Sequence, residues 1–226
     1  MEKNICIVHF NTPKLTRATI RSVRKHTHDC RITVFDNSDS VPFGEMDGVT
    51  VIDNTKGQVI DFNKIISEYP NRVKSNNNYG SAKHCCSVDY LMDLFEDGFV
   101  LLDSDVLVIK DLSPLFNADV AWVGQVDSKM RGGIIIKRLY PFCCFINTGM
   151  CRQNSIRYFN GNYMWKLTKT GRWYDTGAWF LRATRKLPCM KICLSDYIIH
   201  YGGASFNRKE SDSQEEWLNK YKKYYE

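Results

Sequence analysis

Apolar runs and polar segments alternate along the first half of the chain in the manner typical of strands and helices. Short apolar runs, each followed by polar turn residues, predict strands at residues 5–10, 31–35, 49–52 and 99–102. Segments with a helical spacing of apolar positions predict helices at residues 13–26, 62–69 and 81–95. Strands that alternate with helices favour a mostly parallel sheet with helices on both faces, so the predicted fold class is α/β.

The second half of the chain has a less regular pattern, which favours a mixed sheet. Apolar runs predict strands at residues 120–126, 133–136 and 143–146, with further extended runs at 191–194 and 197–201. A helix is predicted at about residues 175–185. Since no linker is long enough to separate two domains, we expect one domain, residues 1–207, and a helical tail, residues 208–226.

The tail carries three aromatic residues on one face of its predicted helix. Trp217, Tyr221 and Tyr224 are spaced by four and then three residues, which places them on the same side of a helix. Two interpretations follow. The aromatic face packs back onto the domain, or it contacts a membrane surface or a partner.

The strongest candidate for chemistry is Asp103-Ser104-Asp105, directly after the predicted strand at residues 99–102. Residues i and i+2 of an extended chain face the same way, so both carboxylates extend from the carboxyl end of the strand. Ligands of open α/β sheets bind at that end. A divalent cation, Mg²⁺ or Mn²⁺, that bridges the carboxylates to phosphate oxygens is a natural partner, and an ordinary polar turn is the alternative.

His200 and the two glycines after it form a second candidate site. The imidazole follows an apolar run and could complete a metal site with the two aspartates or bond a phosphate. A hydrogen-bonded packing role is the alternative for this histidine. Gly202 and Gly203 are compatible with a backbone pocket for an anion and with a plain turn.

Asp175 lies among aromatic residues and is the candidate general base. Its carboxylate could take the proton from an incoming hydroxyl group, or it could only cap the helix predicted there. The aromatic side chains nearby could stack on a sugar or belong to the core, and these are Trp165, Trp173, Tyr174 and Trp179.

Composition and charge narrow the class of protein. The chain of 226 residues is 43% apolar but has no apolar run of the about 20 residues that a membrane-spanning helix needs, so we expect a globular protein. The first residues lack the pattern of a secretory signal, and a cytoplasmic location is expected. The net charge of +6 is mild and dispersed, so nucleic acid is not an expected partner. Nine cysteines without a Cys-x-x-Cys pair favour free thiols, many of them buried.

The order of these segments resembles that of nucleotide-sugar glycosyltransferases of the GT-A fold, over nearly the whole chain to about residue 207. The segments similar to the front of family-two enzymes are residues 7–13, 22–27 and 34–38. In that family the first strand ends in a polar turn that touches the nucleotide, which implies this role for His9, Asn11 and Thr12. The second strand ends in an Asp that contacts the base, which implies this role for Asp36.

Residues 78–84 resemble the Asn-x-Gly stretch that leads into a helix near the pyrophosphate in the same family. The resemblance implies donor-binding roles for Asn78, Gly80 and Lys83. Lys83 stands where an arginine is more usual.

The later motifs match the metal-binding part of the fold. Asp103-Ser104-Asp105 corresponds to its Asp-x-Asp motif, and residues 145–150 and 200–203 are similar to elements of family-two and family-eight enzymes. In those enzymes the late histidine can be a third metal ligand. The resemblance therefore implies Asp103, Asp105 and His200 as ligands of Mn²⁺ or Mg²⁺, with Asp103, Ser104 and Gly202 also contacting the donor.

The implied activity is transfer of a sugar, of hexosyltransferase type, from a nucleoside-diphosphate sugar to a hydroxyl acceptor. A UDP-sugar is favoured as donor, and the expected acceptor is a glycan or a lipid-linked molecule in bacterial-type glycan or surface polysaccharide synthesis. Family-two enzymes have Glu-Asp at the catalytic base, where this chain has Tyr174-Asp175. Asp175 as general base favours inversion, and a retaining route applies if Asp175 only caps its helix.

Two other functions compete with sugar transfer. The chain could be a non-catalytic module that binds a sugar or a nucleotide. A nucleotidyltransferase would also use paired aspartates for Mg²⁺, but it ranks behind because no Gly-rich loop with a following Lys lies near the first predicted strand.

Overall fold

The structure is a computed structural model, and it describes residues 1–69, 79–131, 134–161, 163, 176–203 and 213–226. The first half contains the elements that the sequence predicts, with ends that differ by one to a few residues. The strands are β1 (Lys3–His9), β2 (Cys30–Asp36), β3 (Val49–Asp53) and β4 (Phe99–Asp103). The helices are α1 (Pro13–His26), α2 (Phe62–Glu68) and α3 (Tyr79–Leu94).

The second half contributes five strands and three short helices to the described residues. The strands are β5 (Val106–Val108), β6 (Trp122–Arg131), β7 (Ile134–Ile146), β8 (Met190–Lys191) and β9 (Ile198–His200). The helices are α4 (Thr148–Gln153), α5 (Ala178–Ala183) and α6 (Gln214–Lys220). Single 3-10 turns lie at Ser113–Leu115, Leu194–Asp196 and Lys222–Tyr224.

The prediction of two separate strands at residues 133–136 and 143–146 is wrong, because both belong to β7, which has 13 residues. The segment between them carries two cations and Pro141, which argue against a strand when read locally. The neighbouring strand β6 supplies ladder partners along this segment, including Val126 for Leu139 and Asp127 for Arg138. The run predicted at 191–194 is likewise only partly extended, since β8 ends at Lys191 and a 3-10 turn begins at Leu194.

One seven-stranded sheet organises the molecule, in the order β3-β2-β1-β4-β7-β6-β8. The strand pairs β2–β3, β1–β2, β1–β4 and β6–β8 are parallel, and β7 is antiparallel to both of its neighbours. A second, small sheet pairs β5 with β9. The predicted α/β class with a mixed, mostly parallel sheet is confirmed.

Helices cover both faces of the sheet. Helix α3 packs through Val88 and Leu91 on the face that includes Leu101. Helix α1 packs through Ile20 and Val23 on the opposite face. All nine cysteines are free thiols, as expected, and only two of them are exposed.

The tail packs back onto the domain through the aromatic face predicted from its sequence. Helix α6 begins at a capping box between Ser213 and Glu216. The Trp217 ring is 7% exposed and lies edge-to-face on Tyr201, with 5.3 Å between the ring centroids. Leu15 of α1 belongs to the same buried cluster. Within the described residues, no helix combines the length and the apolarity that crossing a bilayer requires.

Candidate functional site

The carboxyl ends of three parallel strands meet at one edge of the large sheet. Strand register pairs Val8 of β1 with Asp103 of β4, and His9 of β1 with Asp36 of β2. In open α/β sheets this edge is where ligands bind. Strand pairing therefore places His9, Asp36 and Asp103 at this edge.

The Asp103-Ser104-Asp105 turn is held by helix α1 and the residue that precedes it. The hydroxyl groups of Thr12 and Ser104 lie 3.0 Å apart and bond each other. Thr19 donates a hydrogen bond of 3.2 Å from its hydroxyl to the backbone carbonyl of Ser104. Ser104 is buried, and both its hydroxyl group and its carbonyl oxygen are hydrogen-bonded. The backbone that carries the carboxylates of Asp103 and Asp105 is therefore fixed.

The small sheet brings His200 to this turn. Strand register pairs Val106 with His200, and the backbone N–H of Tyr201 donates to the carbonyl oxygen of Asp105 over 2.9 Å. The Nε2 atom of His200 lies 3.2 Å from Oδ1 of Asp105. The small sheet thus joins two predicted ligands that are far apart in the sequence.

Asp103, Asp105 and His200 form a group that fits a divalent metal ion. One ligand atom from each residue lies within 4.8 Å of the other two. Ligands on opposite sides of one Mg²⁺ lie about 4.2 Å apart, at about 2.1 Å from the ion, so small side-chain movements would close this group on a metal. Two carboxylates are suited to Mg²⁺ or Mn²⁺.

An aromatic side chain also packs on the face of the His200 ring. Phe142 of β7 stacks on it with 4.2 Å between the centroids and 24° between the planes. Tyr140, on the same face of β7, packs against Phe142 in a tilted arrangement with 4.4 Å between the ring centroids. The aromatic stack and the bond to Asp105 together fix the orientation of the imidazole.

Asp103 has a partner that sequence reasoning missed. Nε2 of His84, on helix α3, lies 3.0 Å from Oδ1 of Asp103. Burial acts to raise the pKa of the Asp103 carboxyl group. The hydrogen bond and charge of His84, together with the charges of His200 and Arg138, act in the opposite direction and hold that pKa below its usual value. The only sequence signal was the position of His84 directly after the predicted donor residue Lys83.

His9 and Asp36 lie inside the protein, below the surface of this edge. The His9 ring is fully buried, its Nδ1–H donates to the Thr16 hydroxyl over 2.7 Å, and burial lowers its pKa. The Asp36 carboxylate accepts hydrogen bonds from the backbone N–H groups of Ser38 and Phe43. These contacts shape the loop after β2, and direct contact with a nucleotide stays a prediction for both residues.

Asn11 holds the same loop from the end of β1. It has a φ of 54°, and its side-chain oxygen accepts from three consecutive backbone N–H groups, those of Asp39, Ser40 and Val41. Its amide nitrogen donates to the Asp39 carboxylate over 2.6 Å, and this hydrogen bond lowers the pKa of Asp39. Asn11 therefore positions the loop beside the edge where Thr12 meets the Asp-x-Asp turn.

A buried polar network behind this loop was not predicted. Asn37 donates from its side-chain amide to the hydroxyl of Ser87, and Asn54 donates to the side-chain oxygen of Asn37. The network links β2, β3 and helix α3. Asn54 and Ser87 lie 17 and 50 positions from Asn37, so no local pattern could have paired the three residues.

Of the remaining predicted donor residues, Lys83 and Gly202 lie near the same edge. Lys83 is half-buried, with its ammonium 5.6 Å from the centre of the Phe10 ring, and burial lowers its pKa. Gly80 is exposed in the first turn of α3. Gly202 follows β9 with a φ of 79°, a conformation that favours glycine. Asn78 lies outside the described residues.

The candidate base and most of its aromatic neighbours lie outside the described residues, namely Asp175, Trp165, Trp173 and Tyr174. The described part of this region contains Trp179, which stacks on Tyr163 with 4.5 Å between the ring centroids. The indole N–H of Trp179 donates to the carbonyl oxygen of Arg157 over 3.1 Å.

The solved structures that the chain matches include glycosyltransferases. The chain matches a galactosyltransferase, LgtC, solved in complex with donor and acceptor sugar analogs, with a TM-score of 0.52 and 14% identity, over 84% of this chain and 73% of that one. It matches the glycosyltransferase GlyE of Streptococcus pneumoniae TIGR4 with a TM-score of 0.51 and 14% identity, over 86% of this chain and 46% of that one. The bifunctional glycosyltransferase WbbM gives a TM-score of 0.51 and 13% identity, over 84% of this chain and 38% of that one.

The chain therefore spans less than half the length of GlyE and of WbbM. No protein-family model matches the sequence. A search of the curated proteins also gives no match. The TM-scores of 0.51 to 0.52 establish the fold, and at identities of 13 to 14% the activity has to be argued from the site. The chain has the GT-A fold of these glycosyltransferases, with an Asp-x-Asp motif at the carboxyl edge of its sheet.

Proposed function

We propose that this protein is a metal-dependent glycosyltransferase that moves a sugar from a nucleoside-diphosphate sugar to a hydroxyl acceptor. The observation that carries the proposal is the convergence of Asp103, Asp105 and His200 at the ligand-binding edge of a GT-A fold. Two carboxylates and one imidazole at such an edge favour a divalent cation with a phosphorylated ligand. The fold and the site thus support the same class of reaction.

Asp103, Asp105 and His200 are the residues that would hold the ion, and Mn²⁺ is favoured over Mg²⁺ because one ligand is an imidazole. The bound ion would stabilise the negative charge that develops on the leaving diphosphate. The Thr12–Ser104 hydrogen bond and the Phe142–His200 stack keep the ligands in place. Preorganised ligands reduce the side-chain entropy that binding would otherwise cost.

Lys83 is the residue that we assign to the donor's diphosphate. Its ammonium lies between the rings of Phe10 and Phe62, on the helix that also carries His84. A half-buried cation beside a metal site favours a polyanionic ligand. We retain Asn11, Thr12, Ser104 and Gly202 as neighbours of that donor, and a UDP-sugar as the favoured donor class.

We assign the acceptor to a glycan or a lipid-linked molecule, with Asp175 as the general base that takes the proton of the acceptor hydroxyl group. Direct displacement with inversion follows from that role. LgtC was solved with an acceptor sugar analog, which supports an acceptor of this kind in the fold. A cytoplasmic location, with or without peripheral contact to a membrane, is compatible with such an acceptor.

A thermal-shift panel tests the proposal. UDP, GDP, dTDP and CMP are each added with and without Mn²⁺ to the wild type, to Asp103→Asn and to Asp97→Asn. Asp97 is the matched control because it is exposed and lies beyond the amino end of β4, about 20 Å along the chain from Asp103. We expect one nucleotide to raise the melting temperature with Mn²⁺ in the wild type and in Asp97→Asn, and not in Asp103→Asn.

The outcomes separate transfer from the alternatives. A shift that is the same in Asp103→Asn as in the wild type contradicts the assigned metal site. The absence of any nucleotide shift contradicts the donor class. A manganese-dependent shift without turnover of any nucleotide sugar, over a panel of acceptors, would identify a non-catalytic binding module.

A further inference from the structure

His84 occupies an unusual position beside the metal site. Its helix, α3, packs on the sheet through apolar residues such as Cys85 and Val88, whereas the imidazole of His84 is directed to the carboxyl end of β4. The side chains of His84 and Asp103 are 16% and 26% exposed, so their hydrogen bond is largely shielded from water. The bond is 3.0 Å long and joins Nε2 of His84 to Oδ1 of Asp103.

One side of this imidazole contributes nothing to the stability of the fold. Its other nitrogen, Nδ1, is buried and has no hydrogen-bond partner among the described residues. A buried polar atom without a partner costs stability, because it loses its bond to water and gains none. Apart from the bond to Asp103, an apolar side chain of similar size would fit this largely buried helix position at least as well. The benefit of a histidine here must therefore come from its one hydrogen bond, the bond to Asp103.

Each residue of the Asp103-Ser104-Asp105 turn has its own partner. Ser104 is held by Thr12, and the carboxylate of Asp105 is bonded by His200. Among the described residues, His84 is the hydrogen-bond partner of the Asp103 side chain. Without His84, the Asp103 carboxylate would lose its hydrogen-bond partner among the described residues.

We propose that His84 is a positioning residue for the metal site, whose Nε2–H fixes Oδ1 of Asp103 and so leaves Oδ2 to bind the ion together with Asp105 and His200. The inference rests on the proposed function, since it concerns the ion that the function requires. Residues that hydrogen-bond a metal-ligating carboxylate orient it, and their loss costs about 10- to 100-fold in metal affinity. His84 would act in this way on the first ligand of the site.

Binding of Mn²⁺ to the metal-free protein tests the inference without any measurement of activity. The concentration of free Mn²⁺ is followed by electron paramagnetic resonance in the wild type, His84→Leu, His84→Gln and the control His26→Leu. His26 also has a buried nitrogen without a hydrogen-bond partner among the described residues. It lies at the far end of α1, about 20 Å along that helix from Pro13.

We expect His84→Leu to bind Mn²⁺ about 10- to 100-fold more weakly than the wild type. The amide of Gln can donate to Asp103 in place of the imidazole, so His84→Gln should recover most of that loss, and His26→Leu should bind as the wild type does. His84→Met is the second apolar variant if His84→Leu does not fold.

Pulsed electron paramagnetic resonance of bound Mn²⁺ distinguishes a positioning residue from a ligand. One coordinated imidazole, that of His200, is expected in the wild type and in His84→Leu. Loss of an imidazole signal in His84→Leu would identify His84 as a ligand and overturn the proposal. Unchanged Mn²⁺ affinity in His84→Leu, or equal losses in the Leu and Gln variants, would overturn it as well. Failure of the wild type itself to bind Mn²⁺ would instead contradict the proposed function, and the inference with it.

Discussion

Replacement of Trp217 by alanine tests how firmly the tail supports the metal site. Trp217 covers the outer face of the small sheet, in one cluster with Leu107 of β5 and Tyr201 after β9. The same sheet supplies Asp105 and His200 at its ends. Loss of the indole would expose that face to water and remove the main anchor of α6.

The size of the effect follows from burial and from helix length. A large aromatic residue that is replaced by alanine in a core costs about 3 to 5 kcal/mol. Trp217 is 7% exposed and belongs to a small cluster near the surface, so we expect the lower end, about 3 kcal/mol. Its edge-to-face contacts with Tyr201 and Tyr221 supply about 0.5 to 1.5 kcal/mol each of that total. Helix α6 has only seven residues and cannot persist without this docking.

Urea unfolding and amide hydrogen exchange measure the two consequences. The Trp217→Ala midpoint should fall by the equivalent of about 3 kcal/mol, and the Tyr201 N–H, which donates to Asp105, should exchange faster. Tyr224→Ala is the matched control, because Tyr224 is in the same tail but outside the buried cluster, and it should cost less than about 1 kcal/mol. Equal midpoints and equal exchange of Tyr201 in the two variants would refute the supporting role of the tail.

Three further predictions concern other parts of the fold. Gly177→Ala should lower the free energy of unfolding, measured in urea, by at least about 2 kcal/mol. The reason is that φ of Gly177 is 82° and an added Cβ atom would lie 2.2 Å from the carbonyl oxygen of Leu139. A loss below about 0.5 kcal/mol would contradict the described backbone at Gly177. Burial raises the pKa of Asp89 to about 6, so the stabilising contribution of its carboxyl group is complete below about pH 4 and is lost as the pH rises through 6. In urea unfolding, Asp89→Asn should therefore gain about 3 kcal/mol in free energy of unfolding relative to the wild type between pH 4 and pH 8. A difference that stays constant with pH would be inconsistent with that pKa. A thiol reagent should modify Cys189 and Cys193 first in the folded protein, as mass mapping can show, and faster modification of a buried cysteine would argue against the packing described.

The fold was largely predictable because its first half follows simple patterns. The run at residues 99–102 is apolar at every position and is buried on both faces of the sheet as β4, between β1 and β7. Strand β7 could not be recognised in the same way. Its middle section is stabilised by pairing with β6, which is a long-range contact that the local pattern of cations and Pro141 conceals.

In the candidate site, too, residues that follow a local pattern were predictable and contacts between distant residues were not. Asp103 and Asp105 were predictable because two residues after a buried strand share a direction. His200 joins them through the pairing of β5 with β9, a contact between residues 95 positions apart. The sequence marked His200 as a candidate ligand but did not encode that pairing. The contact of His84 with Asp103 depends on how α3 lies across β4, and spacing along the sequence does not encode that angle.

The most direct test of the account is a crystal structure of the protein with Mn²⁺ and a nucleoside diphosphate, with data collected at the manganese absorption edge. The account predicts an anomalous peak bounded by Asp103, Asp105 and His200, with diphosphate oxygens in contact with the ion and Lys83 beside them. The same experiment on Asp105→Asn should show a much weaker peak or none. An ion bound elsewhere, or a nucleotide bound away from the edge formed by β1 and β4, would contradict the central claim that this turn is the metal and diphosphate site of a glycosyltransferase.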